Sequence, residues 1–148
     1  MSYELVVFDP AAAPGERAQF LLWYEKQSEF SEPRDYNNPA GLSAMVKLWF
    51  MEIITQFPPL NGPYSPKEWP ADDSYVTDYG LGGRFIIAGF GWAKAELAFQ
   101  MAFRLAAKHG LGFFEAGSAS GGVWLHGEDG QLTLVHENKQ GRRVAEAQ

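Results

Sequence analysis

The sequence predicts an α+β domain of two layers, in which three helices pack on one face of a three- to five-stranded, mainly antiparallel sheet. Three observations support this fold class. Residues 90–110 form the most apolar helical stretch of the chain and run directly into an apolar strand at 111–116. Residues 3–8 are rich in β-branched and aromatic side chains, as strands are. Residues 40–57 repeat apolar side chains at helical spacing.

The first half of the chain is predicted as one strand followed by two helices. The strand at 3–8 ends at Asp9, because Pro10 follows it. A first helix at 18–28 carries apolar side chains at helical spacing, namely Phe20, Leu21 and Tyr24. A second helix begins near Pro39 and ends before the Pro58-Pro59 pair, since proline removes a backbone donor.

The second half begins with the longest irregular stretch, at 60–79. Loops of this length in compact domains are functional or disordered, and the aromatic side chains of this one indicate an ordered loop. A strand at 81–89 precedes the long helix. After the strand at 111–116, a turn leads to a hairpin partner at 123–125, and 131–135 adds an edge strand.

Length and composition predict one domain over residues 1–136 and a polar, flexible tail over 137–148. The chain has no cysteine, which excludes disulfide scaffolds, thiolate zinc sites and cysteine nucleophiles. The N-terminus lacks the pattern of an export signal. Charged residues, among them Lys94 and Arg104, interrupt the longest apolar run, so no membrane-spanning segment is expected. These features predict a cytoplasmic protein without a membrane partner.

The charge balance restricts the class of partner. The formal net charge is −6. A protein that binds nucleic acid without sequence preference needs a basic face to replace the counterions of phosphate. We therefore expect no nucleic acid as a partner, whereas a protein with a basic surface is compatible with this charge.

The three histidines do not predict a metal or catalytic site. His109 ends the long helix beside Lys108, where a histidine interacts favourably with the helix dipole and the last carbonyls. His126 and His136 lie ten positions apart, in or beside the last hairpin, and no third ligand stands at metal-binding spacing. We expect no metal and no other cofactor.

Glycines and serines do not form a known catalytic or phosphate-binding motif. Gly80 to Gly83 precede a strand rather than a helix, and the Gly89-Phe90-Gly91 run lacks the lysine and hydroxyl of a phosphate loop. Ser118 and Ser120 lack the context of a serine nucleophile. We therefore expect a protein that is not an enzyme and has no catalytic residue.

Acidic and aromatic side chains alternate in the long loop. Four carboxylates and one lysine lie between Tyr64 and Tyr79. Aromatic anchors combined with charges are typical of tight protein interfaces. Further carboxylates follow the first helix. The predicted partner-binding residues are Glu29, Glu32, Asp35, Tyr64, Trp69, Asp72, Asp73, Tyr75, Asp78 and Tyr79. The alternative interpretation of these carboxylates is an ordinary solvated surface.

Several short motifs occur together: Phe8-Asp-Pro10 with Pro14 and Arg17, Phe20-Leu-Leu-Trp-Tyr24, Leu48-Trp-Phe50 with Phe57-Pro58, Asn61-Gly-Pro63, Asp73 with Thr77-Asp-Tyr79, Trp92-Ala-Lys-Ala-Glu96, and Lys108-His-Gly-Leu-Gly-Phe-Phe-Glu115. With this set, most of residues 3 to 125 resemble a family of small, uncharacterised bacterial proteins. Its members look like the immunity proteins encoded beside secreted interbacterial toxins of the type VI or Rhs class. Where the family has a serine-isoleucine-glycine run, this chain has Gly80-Leu81-Gly82.

The resemblance implies an immunity protein that binds a cognate toxin and occludes its active site. Two alternatives use the same residues differently. An adaptor or chaperone would stabilise a secreted effector through the same surface without inhibiting it. A small hydrolase would combine the loop carboxylates with His126 or His136, and it requires a cleft that brings a histidine to a carboxylate.

Overall fold

The first strand organises the whole fold. In the computed structural model, which describes residues 2–138, β1 (Tyr3–Phe8) lies inside a six-stranded antiparallel sheet. The strand order is β2-β3-β1-β4-β5-β6. The other strands are β2 (Asp78–Leu81), β3 (Phe85–Phe90), β4 (Gly112–Phe114), β5 (Val123–His126) and β6 (Leu132–His136). Strands β2 and β6 therefore form the two edges.

Both faces of the sheet are apolar, because side chains of a strand point alternately to opposite faces. Leu5 and Val7 of β1 belong to one buried cluster, whereas Val6 and Phe8 belong to another. The neighbouring β3 repeats this division, with Ile86 in the first cluster and Ile87 in the second. The sheet therefore needs cover on both sides.

Helices α2 (Ala44–Ile53) and α3 (Ala95–Lys108) cover the first face. Trp49 is buried between them, and its Nε1 donates a hydrogen bond of 3.1 Å to the carbonyl of Ala102. At the far end of α3, Glu52 accepts from Nζ of Lys108 at 2.9 Å. The helix pair is thus joined by packing in its centre and by charge at its end.

Helix α1 (Arg17–Ser28) covers the second face. Its single fully buried side chain, Phe20, contacts Phe8 and Phe114 at ring distances of 5.3 and 5.1 Å. The helix is capped by Glu16, whose carboxylate accepts from the backbone of Ala18 at 3.1 Å and of the next residue at 2.9 Å. These amides have no partner within the helix, so the cap stabilises its first turn.

The predicted α+β class with three helices is confirmed, and two features of the sheet and layers differ from the prediction. The described part of the chain forms six strands, and α1 lies on the face opposite to α2 and α3. The reason for the third layer is the composition of β1, whose consecutive apolar side chains leave neither face polar. Such continuous apolar runs indicate strands that are buried on both faces.

The predicted strand at 81–89 is wrong in its extent. The chain turns between β2 and β3 at residues 82–84, and Gly83 has a φ of +91°, a conformation that favours glycine. The irregular stretch consequently ends earlier, because β2 begins at Asp78. The pair Gly82-Gly83 is a typical hairpin signal, and the sequence interpretation did not use it.

Two helices begin later than the sequence predicts. Residues Pro39–Gly41 form one 3-10 turn capped by Asn38, and α2 starts only at Ala44. A second 3-10 turn, Trp92–Lys94, precedes α3. The side chain of Trp92, in this turn, is 50% exposed and contacts the ring of Tyr3. The 3-10 turn rotates it away from the buried side of α3.

The predicted tail at 137–148 falls largely on residues 139–148, which lie outside the described residues. The backbone of Asn138, at its beginning, donates to the carbonyl of Ser120 at 2.6 Å. Within residues 2–138, no helix is long and apolar enough to cross a membrane.

Candidate functional site

The loop between α2 and β2 carries five of the ten predicted contact residues. Trp69 and Tyr64 expose 59% and 46% of their side chains. Nε1 of Trp69 lies 3.4 Å from a carboxylate oxygen of Asp73, to which it donates. Asp72 accepts from the hydroxyl and from the backbone amide of Ser74, and these hydrogen bonds lower the pKa of Asp72 below its usual value. The loop therefore presents negative charge beside an exposed indole.

Tyr75 fixes this loop to the body of the protein. Its ring is half-buried and packs against Phe57 at a centroid distance of 5.6 Å. The ammonium of Lys94 lies 4.6 Å from the same ring, within the range of a cation–π interaction. Tyr75 is thus an anchor that holds the loop against Phe57 and Lys94.

Tyr79 is a correction to the predicted contact surface. Its side chain is 4% exposed, and its hydroxyl donates to the carbonyl of Phe57 at 2.7 Å. Burial raises the pKa of Tyr79 well above its ordinary value. Because β2 alternates its side chains, Tyr79 points towards α2 and contacts Phe50, while Asp78 points to the opposite face. Tyr79 is therefore a core residue. Had residues 78–81 been predicted as a strand, the alternation of their side chains would have placed Tyr79 on the inner face.

The acidic residues after α1 lie on an exposed segment along the β2 edge. Glu32 forms an ion pair of 3.3 Å with Arg34, and Asp35 accepts from the backbone of Asn37 at 2.9 Å. The cap residue of the helix is Glu29. The carbonyl of Tyr36 accepts from the backbone of Leu81 at 2.8 Å, so this segment satisfies part of the edge strand.

The two predicted acidic segments converge beside β2. The backbone of Gly62, in the long loop, approaches the carbonyl of Asn37 so closely that a Cβ at Gly62 would lie 2.3 Å from that oxygen. Only a glycine permits this approach, and its φ of +94° also favours glycine. Tertiary structure therefore joins two surfaces that are separate in the sequence.

A concave site lies between the segment that follows α1 and the sheet. This site, the β2 cleft, has a volume of about 390 Å³ and includes Glu4, Phe30, Tyr36, Asp78, Gly80 and Gly89 in its lining. In the sheet register, Gly89 is paired with Glu4 on one side and with Asp78 on the other. The two carboxylates thus flank a residue without a side chain. Their Cα atoms are separated by two strand spacings, roughly 10 Å.

One wall of the β2 cleft is aromatic. Phe30 is the one non-glycine residue with positive φ in the described chain, at +49°, and it follows the last turn of α1. A left-handed non-glycine residue costs roughly 1–2 kcal/mol. In this conformation, the Phe30 ring lies on Gly80, so that a Cβ at Gly80 would be 2.5 Å from ring atoms of Phe30. The centroids of the Phe30 and Tyr36 rings are 4.9 Å apart.

The carboxylates of the β2 cleft differ in their partners. One oxygen of Glu4 accepts a hydrogen bond from the Tyr24 hydroxyl. Burial, followed by this bond to Glu4, raises the pKa of Tyr24, so the phenol remains a donor at neutral pH. Asp78 is exposed, and its carboxylate makes no hydrogen bond or ion pair to any residue of the described chain. Negative charge therefore remains unneutralised at the cleft.

A second, larger concavity lies on the other face, beside α3. It has a volume of about 590 Å³, and Phe99 and Trp124 contribute apolar surface to it. Glu115 lines it as well and accepts from the hydroxyl of Tyr3. This depression differs from the β2 cleft because its walls are mainly apolar.

The histidines are paired with groups other than the loop carboxylates. Nη1 of Arg17 donates to Nδ1 of His136 at 3.0 Å, which requires the tautomer with the proton on Nε2. Burial and then the nearby Arg17 lower the pKa of His136, while Glu16 opposes them. Nδ1 of His126 lies 3.0 Å from the carbonyl of Gly130. His109 lies 3.1 Å from Glu52 and joins α3 to α2.

Among residues 2–138, no three histidines or carboxylates form a group that could hold a metal ion. Comparisons with protein-family models, with curated proteins and with solved structures each find no match to this chain. The residues that build the β2 cleft were missed by the sequence interpretation, apart from Asp78 and Tyr79. One signal was present: glycine inside a strand often marks a place where another group approaches closely, and Gly89 lies in β3.

Proposed function

We propose that this protein is an immunity protein: a cytoplasmic inhibitor that binds a cognate bacterial toxin and occludes its active site. The observation that carries the proposal is the acidic and aromatic surface along β2, where Asp78 has no partner within the described chain and Trp69 is more than half exposed. The resemblance of the motifs in residues 3–125 to immunity proteins supports the same function.

The chemistry of this surface fits an inhibitor of a toxin with a basic cleft. Clefts that act on nucleic acid are positively charged, because they bind phosphates. An acidic protein with net charge −6 is attracted to such a cleft over a distance, which accelerates association. Exposed aromatic side chains then supply the apolar contact that holds the complex once it has formed.

The first experiment is co-purification of this protein with the product of the adjacent upstream reading frame. We expect a stoichiometric complex that survives about 0.5 M salt, where the screening length falls to about 4 Å. We also expect the complex to abolish the toxicity of that product. A stable complex in which the toxin stays active would instead identify an adaptor, and the absence of any complex would contradict both functions.

The second experiment reverses charge on the proposed surface. Replacing Asp72, Asp73 and Asp78 together with lysine should lower the affinity at least 100-fold, since opposed charges now repel. The matched control replaces Glu96, Glu128 and Asp129 with lysine, which changes the net charge equally at exposed positions elsewhere. Equal losses in the two variants would show that only net charge matters, and unchanged affinity in the first would contradict the proposed surface.

A further inference from the structure

The geometry of the β2 cleft points to a specific ligand. We propose that this cleft binds one basic side chain of the partner protein, an arginine in preference to a lysine. The inference deepens the proposed function and rests on it for the claim that the ligand belongs to a protein. The proposed function describes the surface by its charge, whereas this inference names one pocket on that surface and the chemical group that the pocket binds.

The floor of the cleft is shaped for an inserted group. Gly89 has no side chain, and its neighbours in the register, Glu4 and Asp78, project from the adjacent strands on the same face. A side chain that enters over Gly89 therefore reaches two carboxylates at once, one from each side. In the absence of such a ligand, two negative charges face a common space with no cation among the residues that line it.

The wall of the cleft selects among cations. Phe30 and Tyr36 place aromatic rings beside the same space. A guanidinium is planar, stacks on aromatic rings and offers five donors in a fixed fork, whereas an ammonium is a compact and strongly hydrated charge. A site that combines aromatic faces with two separated carboxylates matches the guanidinium better. Arginine is also among the residues enriched at the energetic centres of protein interfaces.

Contacts from other elements hold the carboxylate and the wall of the β2 cleft in position. The Tyr24 hydroxyl, on α1, holds one oxygen of Glu4 and leaves the other for a ligand. The ring of Phe30 lies directly on the backbone of Gly80, which fixes the distance between wall and floor. A pocket whose parts are held by separate elements needs little reorganisation when it binds, and this lowers the entropic cost of binding.

The test is an NMR titration of the isotopically labelled full chain with three probes: Nα-acetyl-arginine amide, Nα-acetyl-lysine amide and spermidine. We expect the arginine probe to shift the amide signals of Gly80, Ile87 and Gly89 with a millimolar affinity. The lysine probe should bind at least threefold more weakly. No shift at these amides up to about 50 mM probe would overturn the proposal. Tighter binding of spermidine would assign the cleft to free polyamines and would also overturn it.

Two variants test separately the negative charge of the β2 cleft and the open space at its floor. Asp78→Asn removes one charge, and Gly89→Ala places a methyl group in the floor, where its nearest neighbour would be the hydroxyl of Ser2 at 3.0 Å. That hydroxyl can rotate away, so the fold should tolerate the change. Each variant should weaken the arginine probe at least tenfold. The control Glu68→Gln removes an equal charge from the exposed loop outside the cleft and should leave the binding unchanged.

The same variants separate this inference from the proposed function. If Gly89→Ala weakens the toxin complex at least tenfold while its thermal melting stays near that of the parent, the partner uses the cleft. If the complex forms and Gly89→Ala leaves its affinity unchanged, the immunity function stands and the arginine pocket is wrong. Should Gly89→Ala fail to fold, Asp78→Asn decides by the same criterion.

Discussion

The two faces of the sheet are covered to different extents. A helix covers about 10 Å of sheet width, and six strands span roughly 24 Å. On one face, α2 and α3 together cover most of this width, and the side chains beneath them are buried. On the other face, α1 lies alone over the central strands. The first face is therefore covered over most of its width, and the second face over only part of it.

The difference explains where the candidate site lies. Helix α1 leaves part of the second face uncovered around Gly80 and Gly89, and the β2 cleft lies there. A continuous helix over this strip would bury Glu4 and Asp78, at a high cost for unpaired charges. Stability thus depends mainly on one face, and the other face leaves room for binding.

The largest expected effect comes from two adjacent isoleucines that point to opposite faces. Ile86 is fully buried under the helix pair, and Ile87, 7% exposed, lines the β2 cleft. Truncation leaves a sealed cavity at the first position but only widens an open cleft at the second. We expect Ile86→Ala to cost about 4 kcal/mol and Ile87→Ala about 2 kcal/mol of unfolding free energy.

Urea unfolding of both isoleucine variants measures these losses. Each variant is the control for the other, because both replace an isoleucine of β3 with alanine. A loss at Ile87 equal to or greater than that at Ile86 would contradict the difference between a face covered by two helices and a face covered by one.

A smaller effect concerns pH and the attachment of α1 to β6. His136 accepts from Arg17 in its neutral form, and its pKa is lowered by burial and by Arg17. The unfolded chain therefore binds a proton near the usual histidine pKa of about 6.5, before the folded chain does. Stability should be constant above this pH and fall as the pH drops below it. Because the site is partly solvated, the loss is on the order of 0.5 kcal/mol.

The variant His136→Asn tests this pH dependence. An asparagine oxygen can replace Nδ1 as the acceptor for Arg17, and it does not titrate. Denaturant unfolding at pH 7.5 and 5.5 should show a smaller loss in the variant than in the parent. Identical pH dependence in both proteins would show that His136 does not contribute through its protonation.

A similarly small effect on stability is expected at Phe30. Phe30→Gly relieves roughly 1 kcal/mol of left-handed strain. It also removes the ring contact with Tyr36 and increases the entropy of the unfolded chain, which together cost about 1–2 kcal/mol. We expect a net change within about 1 kcal/mol in a thermal or urea melt. A loss above about 3 kcal/mol would show that Phe30 is a core residue rather than the wall of a binding site.

The sequence predicted most elements because their signals are local. Composition predicted β1 at its observed bounds, and helical periodicity predicted α1 within one residue of its start. The turn between β2 and β3 was missed because residues 81–89 are apolar enough to be read as one strand. Tyr79 was misjudged for a related reason, since a residue's inward direction follows from its strand and β2 had not been recognised.

Composition and hydrophobic periodicity are properties of neighbouring residues, and they were enough to predict the α+β class, the three helices and the apolar residues available for a core. The position of α1 on the second face, and the meeting of Glu4, Asp78 and Gly89, are visible only in the folded chain. These three residues lie on different strands, and Glu4 is more than 70 positions from the other two. Their meeting depends on the hydrogen-bonded register of β1, β3 and β2, and local sequence patterns do not specify that register.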